Sequence, residues 1–270
     1  MQVKRIDNFL YIVFDVETML LPVNENGERE HRPNLICASH RCRQCKDMEQ
    51  NYNCTVCGNA QGNRDFVFHD METFINHVLE QGPKFQKVVA LSHNGARFDT
   101  LLVARSLIEN QNLSPGIIAQ GQKIIQLTVN NIIFRDTYLF MGGKLADLPK
   151  TMGLQDNLKK GDFPFLFNTP ENQNYDGPWP DIDYFDIDSK SEDERKKLLA
   201  WHEECVCKEL VFNFQRELLE YCKNDVLILT KALIQFSNLI EERTGGLQCF
   251  LQTSTIAACA MQCFRSQYHQ

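Results

Sequence analysis

The chain predicts an α/β fold, a mixed sheet flanked by helices with a small cysteine-rich insertion, and three observations carry that expectation. Short apolar β-rich runs alternate with helical patterns. Leu10 to Phe14 and Val88 to Leu91 read as buried strands, whereas Phe212 to Leu239 repeats apolar residues every three and four positions without proline or glycine. A length of 270 residues with 43% hydrophobic composition suffices to bury one substantial core. Finally, Cys42, Cys45, Cys54 and Cys57 mark an early segment with too little apolar content to order itself by packing.

Taken in order, strands are expected at 9–15, 34–39, 65–69, 87–91, 124–129 and 131–135, with Asn130 and Asn131 turning a hairpin between the last two. Helices are expected at 71–81, 99–110, 144–152, 191–209 and 212–243, and Gly245-Gly246 stops the last of these. Residues 161–190 are rich in proline, aspartate, asparagine and aromatic side chains and read as one long loop. That loop either packs down through Phe163, Phe165, Phe167 and Trp179 or contacts substrate.

Three short acidic motifs carry the chemistry: FDVET from Phe14 to Thr18, HNGARFD from His93 to Asp99, and YCKND from Tyr221 to Asp225. Asp15 and Glu17 follow the first strand, and residues two apart in extended chain project from one face. Tyr221 and Asp225 lie one turn apart on the final long helix. Asp99 opens a helix after the turn at Asn94-Gly95. Singly, each has an ordinary reading as a solvated turn, a helix cap or a core edge. Together they supply the four acids and one phenol that a two-metal phosphodiester hydrolase requires. Carboxylates gathered at one point repel unless cations neutralise them, and hard oxygen ligands select Mg²⁺ or Mn²⁺.

These motifs resemble those of the DEDD exonucleases, in the subgroup whose fifth residue is tyrosine. The Asn-Gly-x-x-Phe-Asp form of the second is similar to the proofreading domains of family B DNA polymerases. Closer detail resembles protein-primed polymerases of Polinton (Maverick) elements and adenoviruses. It lies in Arg32-Pro33-Asn34-Leu35 before the cysteines, Lys160-Gly161-Asp162, the run from Phe167 to Gln173, Thr255-Ile256-Ala257, and Phe264-Arg265. The resemblance spans nearly the whole chain and implies a ribonuclease-H-like fold.

It also implies a 3′-to-5′ exonuclease that releases nucleoside 5′-monophosphates from single-stranded nucleic acid, DNA favoured over RNA. Asp15, Glu17 and Asp225 would hold one Mg²⁺ or Mn²⁺, Asp15 would bridge to a second, and Asp99 would act on that second ion through water. Tyr221 would orient the attacking water, and Lys160 would contact the scissile phosphate. Thr18, Asn94 and Phe98 would hold the 3′ end. One departure is that the serine- or threonine-leucine pair expected for single-strand contact occurs only as Thr137-Tyr138-Leu139. An RNA-trimming exoribonuclease and a catalytically silent binding or scaffold module remain the alternatives.

The resemblance divides the chain into an exonuclease domain over 1–245 and a helical tail over 246–270 that is similar to the start of a polymerase region. The first part would contain a zinc-binding insertion at 37–60 and the long loop at 161–190. No palm, fingers or thumb motif follows Phe264. An excised portion of a larger polymerase and a separate product lacking a polymerase half are both compatible with that.

Eleven cysteines without a secretory signal argue against a disulfide framework. Cys42-x-x-Cys45 and Cys54-x-x-Cys57 instead match a closed, structural four-thiolate zinc site, with Cys37 or His40 as possible replacement ligands. Cys205, Cys207, Cys222, Cys249, Cys259 and Cys263 fall on helical patterns and read as small apolar packing residues. No apolar run is long enough to span a membrane, so an intracellular location is expected. A formal net charge of −7 is unusual for a nucleic-acid binder and predicts that basic residues are gathered locally.

Overall fold

The structure, a computed structural model, describes residues 5–23, 25–154 and 158–268; the outermost residues of the predicted domain boundaries lie outside the described residues. Nine elements build the main body in chain order: β1 (Phe9–Leu20), β2 (His31–Cys42), β3 (Asp65–Phe68), α1 (Met71–Leu79), β4 (Lys87–Ser92), α2 (Asp99–Glu109), β5 (Gly116–Gln120), β6 (Lys123–Val129) and β7 (Ile132–Asp136). Two short helices follow, α3 (Tyr138–Met141) and α4 (Leu148–Thr151). A two-residue strand β8 (Asp176–Gly177), helix α5 (Glu192–Cys207) and a second such strand β9 (Phe212–Asn213) precede the long α6 (Phe214–Thr244), α7 (Cys249–Gln252) and α8 (Ile256–Tyr268).

The main sheet has the order β3-β2-β1-β4-β7-β6-β5. Its centre, β1, β4 and β7, is parallel, and the flanking pairs are antiparallel. A strand's two-residue period divides β1 cleanly. Leu10, Ile12, Phe14 and Val16 pack with Phe74, Val103 and Leu107 of α1 and α2. Phe9, Tyr11 and Val13 pack on the other face with Leu218, Cys222 and Leu229 of α6.

Local chemistry explains most boundaries. Asp70 caps α1 by accepting from the Thr73 amide at 2.7 Å. Ser191 and Glu194 form a reciprocal capping box on α5. Asn213 caps α6, which ends on Gly245 in the left-handed region at φ 71°. Asn130, also left-handed, turns the β6–β7 hairpin as expected.

Three expectations need correction. β1 continues to Leu20, so Asp15 and Glu17 stand inside the strand rather than after it. The helix expected at 144–152 is a 3₁₀ turn over 145–147 followed by the single turn α4, because Pro149 at its start removes an amide donor. β5 was not foreseen; all five of its residues are exposed, so no burial pattern marks it. The 161–190 segment is a chain of 3₁₀ turns with Phe163 and Phe167 in the core and Trp179 packed edge-on to Phe212. Among the described residues no helix is long and apolar enough to cross a membrane.

Candidate active site and cysteine cluster

β1 presents Asp15 and Glu17 toward α6, where ligand atoms of these two and of Cys222 lie within 4.8 Å of one another. The β1–β2 register shifts immediately after Glu17, with Glu17 opposite Leu35 but Thr18 opposite Pro33. Pro33 has no amide to give to a ladder, which suits this irregularity. The segment Phe167 to Gln173 clamps the same place. The Asn168 side chain donates to the Thr18 carbonyl at 3.0 Å, its carbonyl accepts from the Leu20 amide at 2.8 Å, and its Oδ1 accepts from Asn34 at 2.9 Å.

One turn of α6 separates Tyr221 from Asp225. The Tyr221 ring is nearly covered by Phe163 and Phe165, each with its centroid 5.5 Å away. Lys160 Nζ stands 4.6 Å from the centre of that ring and pairs with Asp225 Oδ2. Asp225 Oδ1, by contrast, is buried without a hydrogen-bond partner among the described residues.

Asp99 arrives from the other layer, as the first residue of α2 at the end of β4. Asn94 adopts φ 60° and Gly95 opens a 3₁₀ turn; a Cβ at Gly95 would collide with Ser92 Oγ and lie 3.0 Å from Asp99 Oδ2. The turn is held from β7. Asp136, 2% exposed, accepts from the Asn94 and Tyr138 amides, each at 2.8 Å, through Oδ1 and from the Ala96 amide at 3.0 Å through Oδ2.

Electrostatics bind these groups into one unit. Removal from water raises the Asp15 pKa, with Lys160 opposing. Burial, then the charges of Asp15 and Asp225, lifts Glu17 well above the carboxylate range. Burial, then Asp15 and Asp136, does the same for Asp99. Asp225 is pushed up to about 7, chiefly by burial, and burial with the nearby carboxylates raises the Tyr221 phenol. Such a cluster stays ionised at neutral pH only with added positive charge. The carboxylate oxygens, with Asp225 Oδ1 orphaned among them, fit hard divalent cations.

Asp15, Asn94, Lys160 and Asp225 border one open cavity of about 610 Å³. Thr18 and Phe98 do not border it but meet through His31: Thr18 Oγ1 is 3.0 Å from His31 Nδ1, and the Phe98 ring meets the imidazole edge-on at 5.1 Å. His31, Asp136 and Cys222 were missed in sequence. Only Asp136, an acid at the end of a central parallel strand, carried a recognisable signal.

The second cluster is separate. Cys42, Cys45, Cys54 and Cys57 are all buried, with Sγ–Sγ distances of 3.4 to 3.7 Å along three of their pairs. Four sulfurs placed tetrahedrally at about 2.3 Å from a shared ion would stand about 3.8 Å apart, so the cluster fits a zinc knuckle. Hydrogen bonding from Cys45 raises Cys42 to about 11, neighbouring thiols raise Cys57 further, and the same contacts hold Cys45 low. Neither suggested replacement ligand joins them. Cys37 faces α6 in the opposite core, and His40 Nδ1 bonds the Cys57 carbonyl oxygen at 2.8 Å while Nε2 meets His77 at 3.2 Å. Lys46 fastens this knuckle to α6 through Asn238 and Glu241, both at 2.8 Å. Of the cysteines read as packing residues, Cys205, Cys249 and Cys259 are buried, but Cys207 is exposed and Cys222 adjoins the acids.

Sheet order, helix layers and an acidic cleft at the ends of the central parallel strands define a ribonuclease-H-like domain. Comparison with known proteins gives its family. The profile described as DNA polymerase type B, organellar and viral, matches residues 84–270, and the chain belongs to that family.

A DNA polymerase of Kluyveromyces lactis is 25% identical over 272 residues, covering 94% of this chain and 25% of that protein. A probable DNA polymerase of Ascobolus immersus is 29% identical over 167 residues, covering 55% of this chain and 13% of its own length. The chain thus spans a quarter or less of these relatives. Phi29 DNA polymerase complexed with primer-template DNA shares the fold at a TM-score of 0.51 and 13% identity, with 95% of this chain and 34% of that one covered. Its complex with single-stranded DNA gives 0.50 at 12% identity, with 97% and 35% covered.

Proposed function

We propose that the chain is a 3′-to-5′ exonuclease that hydrolyses the terminal phosphodiester of single-stranded nucleic acid, DNA in preference to RNA, to nucleoside 5′-monophosphates. The observation that carries this reading is the convergence of Asp15, Glu17, Asp225, Tyr221 and Lys160 from three distant segments into one cleft, beside Asp99. Asp15, Glu17 and Asp225 would hold one Mg²⁺ or Mn²⁺, with Asp15 shared and Asp99 facing a second. When bound, such a pair lowers the pKa of water and stabilises the attacking and leaving oxygens of an in-line displacement.

The remaining roles belong to the chain's own groups. Tyr221, whose raised pKa keeps the phenol protonated, orients the attacking water by a hydrogen bond rather than removing its proton. Lys160, paired with Asp225 here, would be free to turn its ammonium to the phosphate once Asp225 held a cation, and fixed positive charge there would stabilise the transition state. Thr18 and Asn94 offer polar contacts to the terminal sugar, and Phe98 a ring for its base. The cysteine knuckle, taken as a closed zinc site, leaves no open coordination position and serves the fold.

A 5′-labelled oligonucleotide of DNA, with RNA in parallel, tests this in Mg²⁺ and in Mn²⁺. A ladder shortening from the 3′ end, lost in Asp15→Ala/Glu17→Ala, is expected; no ladder from the unmodified protein under either cation would leave only the silent binding module.

A further inference from the structure

Although the chain carries a formal net charge of −7, lysines crowd one side of the acids. A cavity of about 530 Å³ beside Tyr221 is bordered by Lys144, Lys159, Lys160, Lys190 and Lys197 and, among the described residues, by two carboxylates, Asp162 and Glu194. It is continuous with the acidic cavity, since Lys144, Leu145 and Lys160 border both.

Three of these ammonium groups are engaged: Lys160 with Asp225, Lys190 with Asp162 at 3.0 Å, and Lys144 with Glu194 at 3.1 Å. Lys159 and Lys197 are exposed and form no ion pair among the described residues. Both are nonetheless held in place. The Lys159 carbonyl accepts from Asn224 of α6 at 2.8 Å, and Lys197 stands in the second turn of α5, whose start the capping box fixes. Two uncompensated cations on separate elements, facing one groove, raise the local potential for an extended anion carrying several charges rather than for a single phosphate.

We propose that this groove is the track for the phosphates of the single strand on the 5′ side of the bond that is cut. The orientation rests on the exonuclease reading: with the terminal nucleotide near Thr18, Asn94 and Phe98, the strand passes Lys160 and leaves over Lys144 toward Lys159 and Lys197. Each lysine–phosphate contact on a single strand contributes about 0.7 to the slope of log affinity against log salt.

The test compares the full chain with Lys159→Gln/Lys197→Gln. Anisotropy of a labelled phosphorothioate oligonucleotide reads binding, and hydrolysis of the nitrophenyl ester of thymidine 5′-monophosphate reads the acids alone. The paired variant should lower the salt slope by about 1.4 and weaken low-salt binding by at least about tenfold. It should leave ester hydrolysis unchanged, and Lys159→Arg/Lys197→Arg should restore binding. An unaltered affinity and slope overturns the track, as does equal loss of ester hydrolysis, which would place the pair at the reacting centre. Failure of the unmodified protein to cleave the ester counts against the exonuclease reading instead, while the binding comparison still decides the groove.

Discussion

Tyr221 is locked by its surroundings. Phe163 and Phe165 wall its ring and Lys160 covers a face, so replacing its hydroxyl removes the group proposed to orient the water without disturbing the packing. Tyr221→Phe should therefore keep divalent-cation binding, read by calorimetry, yet reduce turnover on the order of a hundredfold. Unchanged turnover would remove Tyr221 from the chemistry. At this scale the sequence was most informative where a motif carries its own candidate acid, as with Asp15, Glu17 and Asp99. It was least informative where a partner comes from far along the chain. Asp136 holds the Asn94 turn across 42 positions, and Cys222 owes its acidic neighbours to a strand some two hundred positions away. No local pattern records such pairings.

Among the elements, the cysteine knuckle depends on the tightest backbone approach. A Cβ on Gly58 would run into the Gly62 and Cys54 carbonyls, atoms of the main chain that cannot step aside. Gly58→Ala should cost about 1–3 kcal/mol, lower the melting temperature by about 5 °C, and reduce the zinc found by metal analysis. Protein that contains no zinc before substitution, when purified without chelator, would refute the metal assignment itself. Element type was legible wherever burial imposed a period, as in β1, β4 and α6. It was obscure for β5, which buries nothing, and for the predicted helix at 144–152, where Pro149 competes with an apolar pattern.

For the molecule as a whole, the acids couple stability to pH and to cations. Without cations, Glu17, Asp99 and Asp225 bind protons more tightly folded than unfolded. Their contribution is fully present below the ordinary carboxylate value of 3.8 and is lost as pH rises through the folded Asp225 value of about 7. Divalent cations bind the ionised form, so the gain in melting temperature on adding Mn²⁺ should widen across that window. A gain independent of pH would separate the cations from these carboxylates. The fold class was readable because alternating strand and helix periods survive in any α/β chain. The sheet order was not, since β1 meets β4, and β4 meets β7, only through crossovers.

The acids have an origin that matters beyond the finished site. One pair rides on the first strand, one opens a helix on the opposite layer, and the last sits with its tyrosine on a helix more than two hundred residues downstream. No contiguous fragment shorter than the stretch from Asp15 to Asp225 brings them together. The proposed cutting activity would thus require that helix docked against the first strand, so a nascent or partly unravelled chain would be harmless to the strands around it.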